Sequence, residues 1–406
     1  MSRPGRRSSG GPAGAGRREA AAKAEAKARV DAESSRLVAL SHRLHQHPEL
    51  SFEEELAAAW CAEALAGGGF EVEAGICDLP TAFSASAGHG PLAVGICCEY
   101  DALPEVGHAC GHNVIAAAAV GAGLALAPLA DDLGVTVRVL GTPAEEGGGG
   151  KILMLERGGF DGLSASMMVH PWPSELEQMP CLAVSHFDVE YRGREAHASA
   201  YPELGVNAAD ALTIAQVGIG LLRQHAGEGN QVHGIVTFGG AAPNIVPARA
   251  RGKFFVRSSS LAELERWEGR VRRCFEAGAV ATGASVELLP QGPTYSEFRP
   301  DGRLQAAYRR NAEALGRRFS QAGGRAVAAS TDMANVSLVM PAIHPTLGLD
   351  SAPVVNHQAE FAALCATPRA DAAVLDGATA MAWTVVDLAT DPSERARLLE
   401  LAYRHA

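Results

Sequence analysis

Apolar residues recur at helical spacing over residues 37–66, break at His47-Pro48 and stop at Gly67-Gly68-Gly69, so two helices open the globular part. Three apolar runs of strand length follow, at 92–98, 135–140 and 166–169, and each leads directly into polar residues. A helical stretch at 114–126 separates the first two runs, and another begins at 152–156 before the third. Strand and helix in alternation predict an α/β fold with a mostly parallel sheet, whose ligand sites lie beyond the carboxyl ends of its strands.

The pattern changes between 182 and 289. There it reads strand (184–191), helix (207–224), strand (232–238), strand (252–258), helix (261–281), strand (285–289). This β-α-β-β-α-β order is that of a small ferredoxin-like domain inserted in a loop of another. The expected division is a disordered or frayed tail over 1–34, a discontinuous α/β domain over 35–181 and 292–406, and an inserted domain over 182–291. An amphipathic helix at 370–389 closes the pattern, and nothing repeats internally.

A chain of 406 residues, 47% hydrophobic, can bury more than one core. Its net charge of -11, with no long basic stripe beyond the N-terminal tail, argues against a nucleic-acid partner. Eight scattered cysteines, two of them adjacent at Cys97-Cys98, suit a reduced intracellular protein. No apolar run approaches the roughly 20 residues of a membrane span, so a soluble chain without a membrane partner is expected. The Arg-rich start has no apolar leader core, and Glu19, Glu25 and Asp31 weaken a mitochondrial transit reading, which leaves the cytoplasm as the expected compartment.

Candidate chemistry gathers where the apolar runs end. In Gly107-His108-Ala109-Cys110-Gly111-His112-Asn113 a thiol and an imidazole stand two residues apart on a glycine-permitted turn, a pair suited to a zinc-like ion. The competing reading of the pair is a buried free cysteine beside a helix-capping segment. The second run ends in Thr142-Pro143-Ala144-Glu145-Glu146 and four glycines. Adjacent carboxylates repel, but beside a cation one can coordinate while the other takes a proton from water, with Glu146 as ligand and Glu145 as general base. His170 closes the third run, and His357 lies far along the chain. A lone histidine is usually structural, so the convergence of strand ends is what raises these two to candidate ligands.

The motifs His47-Pro48-Glu49-Leu50, Asp101-Ala102-Leu103-Pro104, 107–113, 141–147, 193–199, Asn244-Ile245-Val246-Pro247 and His357 together resemble the amidohydrolase branch of the aminoacylase and zinc-carboxypeptidase family of metallopeptidases. The resemblance spans nearly everything after the tail. It implies a mostly parallel-sheet dinuclear metallopeptidase domain carrying a ferredoxin-like lid, and a homodimer. It also implies two divalent metal ions, zinc first with manganese or cobalt as alternatives, held by Cys110, His112, Glu146, His170 and His357. Glu145 would then be the base and Asp101 a carboxylate that orients a ligand. His197 would polarise the substrate carbonyl, and Asn244 and Arg257 would bind the substrate's polar end.

A narrower resemblance, through Cys98-Glu99-Tyr100-Asp101, Gly148-Gly149-Gly150-Lys151, Ser330-Thr331-Asp332 and Ile343-His344-Pro345, implies a dipeptide substrate ending in a basic residue, such as beta-alanyl-lysine. The alternatives are an N-acyl amino acid amidohydrolase and a noncatalytic, metal-stabilised binding protein. The chain departs from the family pattern at Asn113, where an aspartate is usual, in the short Ala-rich stretch 320–330, and after His357.

Overall fold

The computed structural model describes residues 12–320 and 329–405. The chain begins with α1 (Pro12–Gln46), α2 (Glu55–Gly67), β1 (Glu71–Ala74), β2 (Phe83–Ala87), β3 (Leu92–Glu99), α3 (His112–Leu126), α4 (Ala130–Leu133), β4 (Val135–Thr142), α5 (Gly150–Glu156), β5 (Ala165–Met167) and β6 (His170–Trp172). Next come β7 (Ala183–Arg192), α6 (Ala208–Leu222), β8 (Gln231–Phe238), β9 (Arg249–Ser258), α7 (Leu261–Thr282) and β10 (Ser285–Pro290). The last part holds α8 (Gly302–Ala314), α9 (Met333–Val339), β11 (Ala342–Ile343), β12 (Thr346–Gly348), α10 (Ala359–Leu364), α11 (Pro368–Thr390) and α12 (Pro392–His405).

Two compact units result. One comprises Met1–Met179, Arg299–Ala326 and Val336–Ala406, and the other Pro180–Phe298 with Val327–Asn335. The segment expected as an insertion, 182–291, lies in the second unit, which extends past both of its ends. Most of the Ala-rich stretch 320–330 lies outside the described residues.

In the first unit six strands run in the order β1-β2-β4-β3-β5-β11. β3 is parallel to both β4 and β5, and β11 is parallel to β5. Only the β1-β2 edge runs antiparallel, an element the apolar pattern did not announce because β1 is short and acidic. Leu92, Val94 and Ile96 are buried together with Cys97 and Cys98, as a strand covered on both faces requires. Helices α1, α3 and α11 pack against one another over this sheet. Their approach is close at Gly121, where a Cβ would come within 2.8 Å of Leu37 and 2.9 Å of Ala378.

In contrast to the tail expected over 1–34, α1 begins at Pro12. Ala22, Ala26 and Val30 fall at four-residue spacing and pack into the core that continues through Leu37 and Leu44. Lys23 pairs with Asp387, and Trp383 Nε1 donates to the Lys23 carbonyl at 2.7 Å. Small alanines among many charges carry little apolar signal, although they bury well against another helix. Residues 1–11 lie outside the described part.

The helical stretch His112–Leu133 and α11 are long and apolar enough, by length and composition, to cross a membrane. Most of each window is buried inside the structure, and that packing accounts for its apolarity.

The second unit has four antiparallel strands in the order β10-β7-β9-β8, with α6 and α7 supplying the split βαβ connections. Leu264, Trp267, Val271 and Phe275 form the buried stripe of α7 against Phe187, Val189 and Tyr191. Asn207 caps α6 and Ser260 caps α7 through side-chain oxygens that accept from Ala209 N and Glu263 N.

Candidate metal centre

The parallel register sets Glu99, the last residue of β3, beside Thr142, the last of β4, so the two loops that follow leave the same edge of the sheet. The first loop carries Asp101 and reaches α3 through Gly111, at φ 76°. A Cβ there would meet Pro171 at 2.7 Å and Cys365 Sγ at 3.0 Å, so glycine lets this turn lie against the chain that carries His170. The second loop turns at Ala144, a non-glycine residue at φ 57°. Its N–H donates to Glu54 Oε1 at 2.8 Å, which holds the turn that presents Glu145 and Glu146. His357, also at positive φ, is tied by its N–H to the Ala109 carbonyl at 3.0 Å.

These connections gather side chains scattered over some 260 positions of sequence. Donor atoms of Cys110, His112 and His170 lie within 4.8 Å of one another, as do those of Cys110, Glu146 and His357, and those of Glu99, His112 and Glu145. His112 Nδ1 meets Asp101 Oδ1 at 3.1 Å, which leaves Nε2 facing the cluster. Asp101 Oδ2 accepts from Ser51 Oγ at 3.1 Å and from Glu146 N at 3.0 Å, so this carboxylate is committed to orienting its neighbours. His170 Nδ1 meets the Pro171 carbonyl at 2.7 Å, and the same oxygen accepts from Asn356 Nδ2 at 3.2 Å. The pocket is buried except at His357, whose side chain is 61% exposed.

The electrostatics suit a cation. Burial favours the neutral imidazole of His112, yet the carboxylates of Glu99, Asp101 and Glu146 outweigh it and raise its pKa well above the ordinary range. Burial, then Glu146, pushes the Cys110 thiol well up, so a metal binding there would have to displace the thiol proton. Burial also raises Glu146, whereas Asp101 is lowered: its own burial is outweighed by the bond and charge of His112, the Glu146 N–H and the charge of Lys151 taken together. Burial and then the charge of His112 bring His170 down to about 4, which keeps it a neutral donor at pH 7. Glu99 Oε1, His112 Nε2 and Glu146 Oε1 are buried and make no hydrogen bond. His112 Nε2 nevertheless lies 3.0 Å from the first and 3.8 Å from the second of these oxygens. Buried polar atoms are rarely left unsatisfied, and converging orphans of this kind fit a divalent ion.

Every residue expected around the metal thus falls in one pocket of the first unit, together with Glu145 and Asp101. His197, Asn244 and Arg257 fall in the second unit. His197 Nδ1 accepts from Ser199 N and Ala200 N at 3.3 and 3.2 Å, which places its proton on Nε2. The Asn244 carbonyl holds Ala198 N, and Arg257 Nη1 donates to Ser330 Oγ at 2.6 Å.

Sequence reasoning named Glu99 and Lys151 only as motif positions and passed over Glu54; all three are fully buried. Glu99 ends a strand, the signal that drew attention to its neighbours. His344, named in the sequence but given no role, is fully buried with its ring 5.5 Å from that of His170. His108 joins none of the three donor groups. Asn113 Nδ2 donates to Ser41 Oγ and to the Cys365 carbonyl, which makes it a brace between α1 and the end of α10.

The model of peptidase family M20/M25/M40 matches residues 97–377. The Xaa-Arg dipeptidase of Mus musculus is 38% identical, over 91% of this chain and 90% of its own length. The human Xaa-Arg dipeptidase is 35% identical over 89% and 88%. Among solved structures, the YXEP protein of Bacillus subtilis, a dinuclear metal binding peptidase from the M20 family, superposes with a TM-score of 0.63 at 22% identity, covering 88% of this chain and 99% of its own, and so shows the shared fold.

Proposed function

The chain belongs to peptidase family M20/M25/M40 and is a metal-dependent hydrolase of peptide or amide bonds, and from that premise we propose that it cleaves dipeptides whose C-terminal residue is basic, such as Xaa-Arg, Xaa-Lys and Xaa-ornithine. The observation that carries the reading is the pocket at the sheet's carboxyl edge, where Cys110, His112, Glu146, His170 and His357 offer donors to divalent ions while Glu145 stands beside them. The two relatives named Xaa-Arg dipeptidase support the substrate class. In this reading the five ligands hold two ions, zinc before manganese or cobalt, because a thiolate with three imidazoles suits a borderline-soft cation.

Bound there, divalent ions lower the pKa of water to about 7 and polarise a carbonyl. Glu145 accepts the proton of the attacking water and returns it to the leaving amine. Asp101 keeps His112 in the tautomer that presents Nε2. In the second unit, the Nε2 proton of His197 is of the kind that stabilises a developing oxyanion, and Asn244 and Arg257 are the groups assigned to a substrate's polar end. A homodimer belongs to the same reading: β8 is an edge strand, and Ile235, Val236 and Phe238 on it are exposed. The eight cysteines stand as thiols, which suits the cytoplasm.

The test is a panel of Xaa-Arg, Xaa-Lys, Xaa-ornithine and neutral dipeptides together with N-acyl amino acids, run on metal-reconstituted protein. Basic dipeptides are expected to exceed the others in kcat/KM by at least about tenfold, since a site that pairs a buried charge rejects substrates lacking it. Preference for N-acyl amino acids would overturn the substrate class.

A further inference from the structure

Two fully buried residues of opposite charge stand behind His112 with no role in the mechanism above. Glu99 closes β3, and Lys151 lies in the first turn of α5; both side chains have 0% exposure. Lys151 Nζ contacts Glu99 Oε2 closely. The other oxygen, Oε1, makes no hydrogen bond and lies 3.0 Å from His112 Nε2, itself without one. Because Asp101 occupies Nδ1, Nε2 is the ring nitrogen left for a metal. A carboxylate oxygen and a ring nitrogen at this distance are held together by a cation shared between them, a proton or a metal ion that displaces it. The donors of Glu99, His112 and Glu145 also fall within 4.8 Å of one another.

A buried ion pair stabilises little by itself, since desolvation offsets most of its attraction. Here the pair leaves one oxygen aimed at a ligand nitrogen, which an ion pair serving the fold alone does not require. We propose that Glu99 is a further metal ligand, giving Oε1 to the ion held by His112, while Lys151 fixes Oε2 and balances the added charge. This rests on the reading that the pocket binds divalent metal.

The charges agree with it. The Cys110 thiolate and the carboxylates of Asp101, Glu145 and Glu146 already match two divalent cations. A fifth anion alone would leave the buried pocket negative, and with Lys151 beside it the balance is kept. Glu99 therefore adds a ligand atom without changing the net charge of the loaded site.

The experiment compares the parental protein with Glu99→Gln, Lys151→Met and the double variant Glu99→Gln/Lys151→Met. Metal content is measured by elemental analysis, affinity by chelator competition, coordination by visible absorption of the cobalt(II) form, and stability by thermal melting with and without metal. The double variant removes both charges and is expected to melt near the parental apo-protein. It should nevertheless hold one ion at least about tenfold more weakly, the scale on which even outer carboxylates affect metal sites. Its cobalt d–d bands should shift while the Cys110 sulfur-to-cobalt band persists. Lys151→Met, which leaves Glu99 unbalanced, should show a larger metal-induced rise in Tm than the parent.

Parental affinity and an unchanged cobalt spectrum in the double variant would reduce Glu99 and Lys151 to a structural pair and overturn the proposal. An unenlarged metal-induced rise in Lys151→Met does the same and decides the matter if the double variant fails to fold. A parental protein that takes up no divalent ion removes the metal reading itself, and this proposal with it.

Discussion

Strands β3 and β4 of the first unit are buried on both faces nearly throughout and gather their chemistry at their carboxyl ends, at Glu99, Asp101, Glu145 and Glu146. In the second unit β9 alternates instead: Ala250, Gly252, Phe254, Val256 and Ser258 are buried, and Arg249, Arg251, Lys253 and Phe255 are exposed. Glu190 on the neighbouring strand accordingly meets three arginines, Arg192, Arg249 and Arg251, each close to half exposed or more. The same side-chain types therefore behave differently. Concentrated at one buried edge, charges shift one another's protonation and can bind a cation; in the second unit, half-exposed guanidinium groups instead close over the single buried carboxylate of Glu190 and neutralise it. The first arrangement specialises for chemistry and the second for folding, so damage to each should be read by different instruments.

The sharpest break is Glu145→Gln. Removing the general base should lower kcat by about 10²- to 10⁴-fold, with metal content and the thermal transition unchanged; equal turnover would remove the base assignment. The opposite lesion is Trp267→Ala in the second unit, where a buried indole packs with Val271 and Phe275. It should cost about 3–5 kcal/mol of stability in denaturant titration, while metal content stays at two ions per chain. Loss of metal in this variant would show that the contrast between the units is drawn wrongly.

Glu54 tests the cost of a buried carboxylate at the pocket's edge. Burial, followed by the charge of Asp101, raises it from an ordinary 4.5 to about 7. The fold thus prefers the protonated acid: the stability this contributes is complete below about pH 4.5 and is lost as pH rises through 7. Glu54→Gln keeps an acceptor for Ala144 N and should flatten that dependence, gaining about 2.5 kcal/mol over the parent between pH 5 and pH 8 in metal-free protein. Parallel pH curves would remove Glu54 as their source. The smallest effect is expected for Ser260→Ala, which removes the α7 cap and should lower stability by about 1 kcal/mol without changing kcat, as urea midpoints would show.

Much of the first unit could be read from the chain because buried parallel strands are continuous apolar runs, and their ends point at themselves. Cys110, His112, Glu145, Glu146 and His170 stand just past such runs. Glu99 and Lys151 were visible only as motif positions: one ends a buried strand and the other follows four glycines, and nothing in either position announces that the two side chains meet. The alanine face of α1 escaped notice, since its buried side chains are small and its charged ones numerous. In the second unit the alternation of β9 and the stripe of α7 are strong periodic signals, and the element order followed from them. The β1-β2 edge carried no comparable signal, being short and mixed in polarity.

The pairing of β5 with β11 also has a consequence for how this protein is made. Met167 and Ile343 are register partners in one parallel ladder. At the ribosome's pace of about 5–20 residues per second, that separation amounts to roughly 10–35 s during which the open side of β5 has emerged and its mate has not. His357 emerges later still. A nascent chain therefore carries an apolar ladder edge and an incomplete ion pocket throughout the synthesis of the second unit, the interval in which a chaperone or a premature ion has most to act upon.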